Sequence, residues 1–273
     1  MHVIEARGAR IPALGLGTWQ MRGETCREAV RQALALGYRH LDTARMYDNE
    51  ADVGAGLEAA DVPREKVFLT TKVWMDQLAP RALKAAAAES LERLRTDYVD
   101  LLLIHWPNPE APLADSLGAM AELREAGRVR HIGVSNFNVA LMRQAMEDHG
   151  ADIVCNQVEY HPFLSQRAVI DYARARGAAV TAYCPLARGE VAGDPTLKEI
   201  AAKHGKTPAQ VALRWLVQQD GVAAIPKAAS SEHLRSNLEV FDFALDGDDL
   251  AAIDRLPGDG RQIDPGWAPD WDT

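Results

Sequence analysis

The sequence predicts a single α/β domain, residues 1–273, with the (β/α)8 fold of a TIM barrel. Short runs of β-branched and aliphatic residues alternate with amphipathic helical patterns, and the alternation occurs eight times. The repeat has a period of about thirty residues, and one barrel commonly needs about 250 residues. No linker rich in Pro, Gly or Ser interrupts the chain, which favours a parallel barrel over a doubly wound open sheet.

The opening segment is predicted to form a hairpin. After it, the predicted strands and helices alternate along the chain. Strands are predicted at residues 14–18, 38–42, 67–72, 99–104, 129–134, 153–158, 179–182 and 221–225. Helices are predicted at residues 24–36, 49–60, 80–94, 113–126, 140–149, 166–176, 197–204, 208–219 and 232–240. Gly37 ends the first helix, as glycine commonly does beyond a helix C-terminus. An extra C-terminal helix at 245–256 precedes an irregular tail, 257–273, whose Trp267 and Trp271 predict that it docks on the barrel.

The composition excludes several classes of partner. A net charge of −9 argues against binding to nucleic acid or to an anionic membrane surface. Hydrophobic residues make up 47% of the chain, but no apolar run reaches the roughly 20 residues that a membrane span needs. The amino terminus lacks the apolar stretch of a secretory signal, so the predicted location is the cytoplasm. The lack of long exposed apolar segments favours a monomer.

Polar side chains stand at the carboxyl ends of nearly all predicted strands, where barrels of this class carry their functional residues. In strand order these are Thr18 and Trp19, Asp42, Lys72, His105 and Trp106, Ser135 and Asn136, Gln157 and Glu159, Tyr183, and Lys227. Tyr38, His40 and Asp42 are predicted to share one face of the second strand, since strand side chains alternate. Tyr47 follows Asp42 closely enough to overhang the same strand end.

Lys72 and Asp42 are predicted to form a pair with a chemical role. Lys72 lies in an apolar strand and needs a partner, and Asp42 ends the neighbouring strand. The alternative is a buried structural ion pair. A phenol can act as a general acid near neutral pH if a nearby cation favours its ionised form, so Lys72 could activate Tyr47. His105 would donate a second hydrogen bond to the same carbonyl, although a lone buried histidine is more often a satisfied core residue.

Two glycine motifs are set aside. Residues 54–59 match a loose dinucleotide-binding fingerprint but follow a helix start, not a buried strand. Residues 133–137 begin like the nucleophile elbow of a serine hydrolase but lack the second glycine, so Ser135 is better read as a hydrogen-bonding group.

Four stretches, residues 37–44, 103–107, 133–137 and 156–162, resemble signatures of the aldo-keto reductase superfamily. The resemblance extends over about residues 14–237, in the order in which the family carries these signatures. It implies reduction of aldehydes and ketones by a nicotinamide hydride, with a catalytic tetrad of Asp42, Tyr47, Lys72 and His105. Tyr47 would be the general acid.

The same resemblance implies how ligands would bind. Cofactor contacts are expected at Thr18, Trp19, Asp42, Ser135, Asn136, Gln157, Tyr183, Leu186, Lys227, His233 and Asn237. Among these, Ser135, Asn136 and Gln157 would hold the carboxamide, and Tyr183 would stack on the nicotinamide ring. Substrate contacts are expected at Trp19, Tyr47, Trp74, His105 and Trp106, a mostly aromatic wall that suits a small carbonyl compound.

The departures from the family pattern concern the cofactor. NADPH is the expected cofactor because Lys227 is present, with NADH as an alternative. Ala228 and His233 stand where similar enzymes commonly carry a serine and an arginine that grip the 2′-phosphate, so we expect a weaker phosphate contact. The short segment 186–195 predicts an open cofactor cleft. This segment and the tail most resemble bacterial 2,5-diketo-gluconate and methylglyoxal reductases, which implies keto-sugars, methylglyoxal and keto-esters as substrates.

Three rival readings remain open from the sequence. His40, Asp42, His105 and His161 could be ligands of a metal hydrolase, although Lys72 would compete with a dication and our expectation is no metal. Lys72 could instead form a Schiff base in an aldolase. The chain could also be a non-catalytic nicotinamide-binding sensor or accessory subunit.

Overall fold

The computed structural model describes residues 2–272 and contains one eight-stranded parallel sheet preceded by an antiparallel hairpin. The hairpin strands are β1 (Val3–Ala6) and β2 (Ala9–Pro12). The sheet strands are β3 (Leu16–Gly17), β4 (His40–Asp42), β5 (Phe68–Val73), β6 (Val99–Ile104), β7 (Val129–Ser135), β8 (Ile153–Glu159), β9 (Ala179–Tyr183) and β10 (Val222–Ala224). Each sheet strand pairs in parallel with the next one in sequence, so the predicted (β/α)8 fold is confirmed.

Helices follow the strands and cover the outside of the sheet. They are α1 (Gly23–Leu36), α2 (Glu50–Glu58), α3 (Pro80–Leu94), α4 (Leu113–Glu125), α5 (Val139–Arg143), α6 (Arg167–Ala175), α7 (Pro195–His204), α8 (Pro208–Val217), α9 (Ser231–Leu238) and α10 (Gly247–Ile253). Gly37 ends α1 in the left-handed region, with φ of 107°, as predicted. Thr207 and Gln210 form a capping box that fixes the start of α8. No helix among the described residues is long and apolar enough to cross a membrane.

The barrel closes through a short seam between the first and last strands of the sheet. The Gly15 amide donates to the Ala224 carbonyl at 2.9 Å, and the Gly17 amide donates to the Pro226 carbonyl at 3.1 Å. A Cβ atom at Gly17 would lie 2.5 Å from the Ile225 carbonyl oxygen, so only glycine permits this approach. β3 is far shorter than the predicted strand at 14–18, because Leu14 pairs only through an isolated bridge to Ala224 in this seam.

The hairpin lies at the amino-terminal ends of the strands. The Pro12 carbonyl contacts Nδ1 of His40, the first residue of β4, at 3.1 Å. Arg7 donates to Asp152, just before β8, and to the Arg176 carbonyl, after α6. The hairpin therefore covers the end of the barrel opposite the predicted site.

Three sequence predictions need correction at their boundaries. Tyr38 precedes β4 instead of belonging to it, and its hydroxyl donates to the Leu234 carbonyl in α9, so it packs with an outer helix. The helix predicted at 140–149 is α5 followed by a π-helical turn, Gln144–Asp148. The extra C-terminal helix, α10, is shorter than predicted because a capping box at Asp246 fixes its start.

The tail docks on the carboxyl-terminal face of the barrel, as Trp267 and Trp271 predicted. Its first part pairs with the loop after β8 through two backbone hydrogen bonds, from Gly260 to the Phe163 carbonyl and from Ser165 to the Gly258 carbonyl. Its last part is held at the start of α5, where Asn138 Nδ2 donates to the Asp270 carbonyl at 2.7 Å. The tail is thus anchored near both of its ends.

Candidate active site

A cleft of about 660 Å³ opens at the carboxyl ends of the barrel strands. Most predicted site residues line it: Thr18, Trp19, Asp42, Tyr47, Trp74, His105, Trp106, Asn136, Gln157, Tyr183, Leu186 and Lys227. Lys72 is fully buried immediately beneath its floor. A second cavity of equal volume lies beside the tail, but its only ionisable side chains are Asp148 and Asp270, so it lacks an acid–base pair.

Lys72 joins Asp42 and Tyr47, two of the predicted catalytic residues, into one hydrogen-bonded group. Its Nζ atom donates to Asp42 Oδ1 at 2.5 Å, to the Thr43 carbonyl at 2.8 Å and to the Tyr47 hydroxyl at 3.2 Å. These three bonds use every N–H of the ammonium group. Because the ammonium cannot accept a hydrogen bond, the Tyr47 oxygen is the acceptor, and the phenol proton stays free to point into the cleft.

Burial and charge set the protonation of this group. Burial is the largest influence on the pKa of Tyr47 and raises it, and the Lys72 ammonium only partly opposes that rise. The sequence analysis foresaw the influence of Lys72 but not the larger one of burial. Burial also acts to lower the pKa of Lys72, but Asp42 and Tyr47 together outweigh it, so that the pKa of Lys72 is raised. Tyr47 is therefore a protonated phenol held by a charged lysine at neutral pH.

His105 lies on the other side of Tyr47. Its ring contacts those of Tyr47 and Trp74 edge to face, with centroid separations of 5.6 and 5.0 Å. Burial, assisted by the positive charge of Lys72, holds the pKa of His105 well below its usual range, so the imidazole is neutral. Its Nδ1 atom is buried and has no hydrogen-bond partner among the described residues. Such an unpaired ring nitrogen distinguishes His105 from a satisfied core histidine.

A set of amide and hydroxyl groups forms the side of the cleft beside Asp42. Gln157 Nε2 donates to Asp42 Oδ2 at 2.7 Å, and the Tyr183 hydroxyl donates to Asn136 Oδ1 at 2.8 Å. Asn136 adopts φ of 62°, a left-handed conformation that asparagine tolerates better than most residues. Ser135 lies behind this surface, because its hydroxyl donates to the Gln157 carbonyl instead of reaching the cleft.

The rim of the cleft carries two exposed cations. Lys227 was predicted there, whereas Arg188, in the loop after β9, was not. That loop forms a tight turn with left-handed residues at Ala187, Arg188 and Gly189. His233 and Asn237 lie on α9 and are not among the residues that line the cleft, and their contact with the cofactor stays a prediction.

Asn49 was missed by the sequence analysis although it connects two walls of the site. Its side chain is buried, and its Nδ2 atom donates to the carbonyls of Thr18 and Met21 at 2.8 and 2.9 Å. Its Oδ1 atom accepts from the Thr43 hydroxyl at 2.8 Å. A buried asparagine two residues after Tyr47 was the available signal, but its partners lie in loops that have no sequence periodicity.

Aromatic residues and the tail complete the remaining wall. Trp19 packs against Tyr47 with ring centroids 4.7 Å apart. The rings of Trp106 and of Trp271 in the tail pack edge to face, with their centroids 6.0 Å apart. Ile263 of the tail lines the cleft directly. The sequence predicted Trp106 here but not the two tail residues.

The structure argues against the metal-site reading. No group of three or more His, Cys, Asp or Glu side chains within residues 2–272 is arranged to hold a metal ion. His40 contacts the Pro12 carbonyl, at the opposite end of the barrel. His161 accepts a bond from the Phe163 amide at Nδ1 and contacts Glu159 through Nε2, so both of its ring nitrogens are occupied.

Comparison with known proteins gives concordant matches. The sequence profile described as aldo/keto reductase family matches residues 13–257. Methylglyoxal reductase DkgB of Escherichia coli O157:H7 is 43% identical over 266 residues, covering 96% of this chain and 99% of that protein. Glyoxal reductase of Bacillus subtilis (strain 168) is 40% identical over 255 residues, covering 93% and 92%. The crystal structure of a protein named as a 2,5-diketo-D-gluconic acid reductase B superposes with a TM-score of 0.97 at 50% identity, covering 100% of this chain and 98% of that one.

Proposed function

The chain belongs to the aldo/keto reductase family, and we propose that it is an NADPH-dependent reductase of small aldehydes and ketones with Tyr47 as its general acid. The observation that carries this proposal is the hydrogen bond from Lys72 to the Tyr47 oxygen, beside a neutral His105. That arrangement leaves one phenol proton free in the cleft, beside the His105 ring, whose centroid lies 5.6 Å from that of the Tyr47 ring.

Tyr47 would supply the proton that the carbonyl oxygen needs. When bound, a reduced nicotinamide supplies a hydride to the carbonyl carbon, and the oxygen gains negative charge. Burial keeps Tyr47 protonated until that charge develops, and its free proton then moves to the oxygen, which becomes the alcohol hydroxyl. The resulting phenolate is stabilised by the Lys72 ammonium at 3.2 Å.

Asp42 and His105 would act without exchanging protons. Asp42 fixes the lysine through its bond at 2.5 Å, and the Thr43 carbonyl limits the ammonium to one orientation. His105, being neutral, would donate one N–H to the carbonyl oxygen and stabilise the charge that forms there. The position of the His105 ring in the cleft lining beside Tyr47 supports a role of this kind.

The groups that line the cleft fit a nicotinamide dinucleotide. Asn136 and Gln157 offer amides for a carboxamide, with Ser135 supporting both of them from behind, and Tyr183 offers a flat ring for stacking. The two exposed cations at the rim, Lys227 and Arg188, suit the charge of the phosphates. Thr18, Trp19 and Leu186 also line the cleft and would complete the cofactor contacts.

We further propose that the preference for NADPH over NADH is weak. Ala228 is buried and offers no hydroxyl, while His233 and Asn237 on α9 lie outside the cleft lining. Lys227 would then carry most of the contact with the 2′-phosphate. Comparing the Michaelis constants of the two cofactors tests this, and a preference above about a thousandfold, some 4 kcal/mol, would contradict it.

The aromatic wall of the cleft and the names of similar proteins together indicate a substrate class. Trp19, Trp74 and Trp106 provide apolar surface around Tyr47 and His105, which suits a compact carbonyl compound. The relatives named for methylglyoxal, glyoxal and 2,5-diketo-D-gluconic acid support dicarbonyl compounds and keto-sugars as candidates. We propose methylglyoxal as the first substrate to test.

The test is loss of the reduced-nicotinamide absorbance with methylglyoxal, using Tyr47→Phe and a matched Tyr98→Phe control. The Tyr98 hydroxyl is also buried, but it has no hydrogen-bond partner within residues 2–272 and lies away from the cleft. We expect Tyr47→Phe to lower kcat/KM by about 10³- to 10⁴-fold, the upper range of general acid–base catalysis, and Tyr98→Phe to retain wild-type activity. Tight cofactor binding without turnover of any aldehyde or ketone would instead favour a non-catalytic nicotinamide-binding protein.

A further inference from the structure

Glu159 is a buried acidic residue that the proposed reaction does not use. It ends β8, two residues after Gln157, and neither its side chain nor that of His161 has measurable solvent exposure. The His161 ring holds one oxygen of its carboxylate at 2.9 Å. A carboxylate in this position requires several hydrogen-bond donors, because burying it without them is costly.

The tail provides those donors through its main chain. The Gln262 amide donates to Glu159 Oε1 at 2.6 Å, and the Ile263 amide donates to Oε2 at 2.8 Å. Two consecutive N–H groups thus reach the two oxygens of one carboxylate. Hydrogen bonds to a carboxylate are stronger than those between neutral groups, and a tail that moved away would leave Glu159 with His161 alone.

The residues on both sides of this anchor form the tail's contribution to the cleft. Ile263 lines the cleft directly. On the other side, the Arg261 guanidinium lies over the Trp271 ring, 3.8 Å from its centroid, and Trp271 contacts Trp106. A shift of the main chain at residues 262–263 would therefore move Ile263 in the cleft lining and, through Arg261 and Trp271, would reach Trp106, which also lines the cleft.

We propose that Glu159 is a positioning residue for the substrate wall, which it sets by holding the main chain of the tail at Gln262 and Ile263. Among the described residues its side-chain hydrogen bonds go to His161 and to the tail, so we infer that it acts through the tail. The kinetic part of this inference rests on the proposed carbonyl reductase function, whereas the anchor itself does not.

The test combines two ways of breaking the anchor. Glu159→Gln leaves one acceptor oxygen and turns an NH₂ group toward a tail amide. Gln262→Pro removes one tail donor without altering Glu159, and Gln262→Ala is its matched control because it keeps the N–H. If Glu159→Gln prevents folding, the comparison of Gln262→Pro with Gln262→Ala still tests the anchor, because Gln262 is partly exposed and easier to substitute.

Hydrogen exchange of the full chain measures the anchor directly. We expect the Ile263 amide to exchange at least about tenfold faster in Glu159→Gln and Gln262→Pro, while β8 amides and the Gln262→Ala protein stay at wild-type rates. In turnover assays we expect the KM for benzaldehyde, a bulky substrate, to change by about five- to tenfold, with kcat and the KM for NADPH within about twofold.

Three results would overturn the proposal. Unchanged exchange at Ile263 in both variants would show that the carboxylate does not hold the tail. Equal changes in the KM values for NADPH and for benzaldehyde would mean that Glu159 supports the barrel in general. If Gln262→Pro and Gln262→Ala had the same exchange rates and the same KM values, the main-chain N–H of Gln262 would not be what holds the tail. If wild-type protein reduced no carbonyl compound, the proposed function would fail while the exchange result would still decide the anchor.

Discussion

The two walls of the cleft are built in different ways. On one wall, the buried side chains of Lys72, on the strand next to that of Asp42, and of Gln157, on β8, both bond directly to Asp42. On the other wall, Ile263 and Trp271 belong to irregular chain that touches the barrel through a few anchoring hydrogen bonds. The proposed chemistry is thus fixed by strand geometry, whereas the shape of the pocket depends on a docked segment.

The wall that contains Asp42, Lys72 and Gln157 is called the strand wall below. The largest effect on activity and stability should come from substituting Lys72 in this wall. Lys72→Met removes the cation that would stabilise the Tyr47 phenolate and leaves Asp42 buried without its charge partner. We expect kcat/KM to fall by about 10³-fold and the free energy of unfolding to fall by about 3–5 kcal/mol. Kinetics and urea denaturation measure the two effects.

Lys84→Met is the matched control, because Lys84 forms a salt bridge with Glu122 that is largely exposed to solvent. Its loss should cost less than about 1 kcal/mol and leave activity unchanged. A Lys72→Met protein with near wild-type kcat/KM would show that the buried pair is only structural.

The buried histidines of the barrel should also make stability respond to acid. Burial lowers the pKa of both His40 and His105, so below the ordinary histidine value of 6.5 the unfolded chain binds protons that the folded chain does not. The contribution of these two histidines to stability should therefore be constant above pH 7 and fall as pH decreases below 6.5, by up to about 1.4 kcal/mol per pH unit for each histidine.

Urea midpoints at pH 7.5 and 5.5 test this prediction, the two pH values being about one unit on either side of 6.5. His40→Gln should make the pH dependence shallower, while His149→Gln, a substitution of an exposed residue, should not change it. Equal slopes in all three proteins would mean that His40 does not contribute to the acid sensitivity.

A smaller effect on kcat is expected from substituting Asn49, whose side chain joins the loops that follow β3 and β4. Asn49→Asp keeps an acceptor for the Thr43 hydroxyl but loses both donors to the Thr18 and Met21 carbonyls. Because Trp19 would then move relative to Tyr47, we expect kcat to fall about tenfold, a loss of roughly 1.4 kcal/mol. An unchanged kcat with reduced stability would limit Asn49 to a structural role.

The other wall, to which the tail contributes Ile263 and Trp271, is called the tail wall. A substitution in the tail wall should have the smallest effect on the chemical step. Trp271→Ala removes the ring between Arg261 and Trp106. We expect KM values for carbonyl substrates to change about threefold while kcat stays within about twofold, because uniform binding contributes to KM alone. A fall in kcat comparable to that of Asn49→Asp would remove the distinction between the walls.

The strand wall was predictable from the sequence for physical reasons. Parallel strands bring their carboxyl ends to one face, so Asp42, Lys72 and His105 could be assigned to one site from strand order alone. Tyr38 was wrongly placed because a strand's start is weakly encoded, and its side chain instead contacts α9. The short β3 was unforeseen because the seam that replaces it depends on Ile225, far along the chain.

The tail wall was not predictable, although its docking was. Residues 257–273 have neither helical nor strand periodicity, so two tryptophans could indicate contact but not its place. Glu159 was noted at a strand end, yet its partners Gln262 and Ile263 lie more than a hundred residues later and contribute only main-chain donors. A main-chain donor carries no sequence signal, and contacts of this kind become visible only in the folded chain.

The hairpin at the base of the barrel has a practical consequence. The first described residues lie at this end, where Arg7 ties the hairpin to Asp152, and the last ones lie at the start of α5, where Asp272 accepts from the Val139 amide. An affinity tag, a fluorophore or a surface linker at the amino terminus would hang from the face opposite the cleft. The same addition at the carboxyl terminus would extend from a segment that shapes the pocket. Immobilised or fused forms of this protein should therefore be attached through the amino terminus.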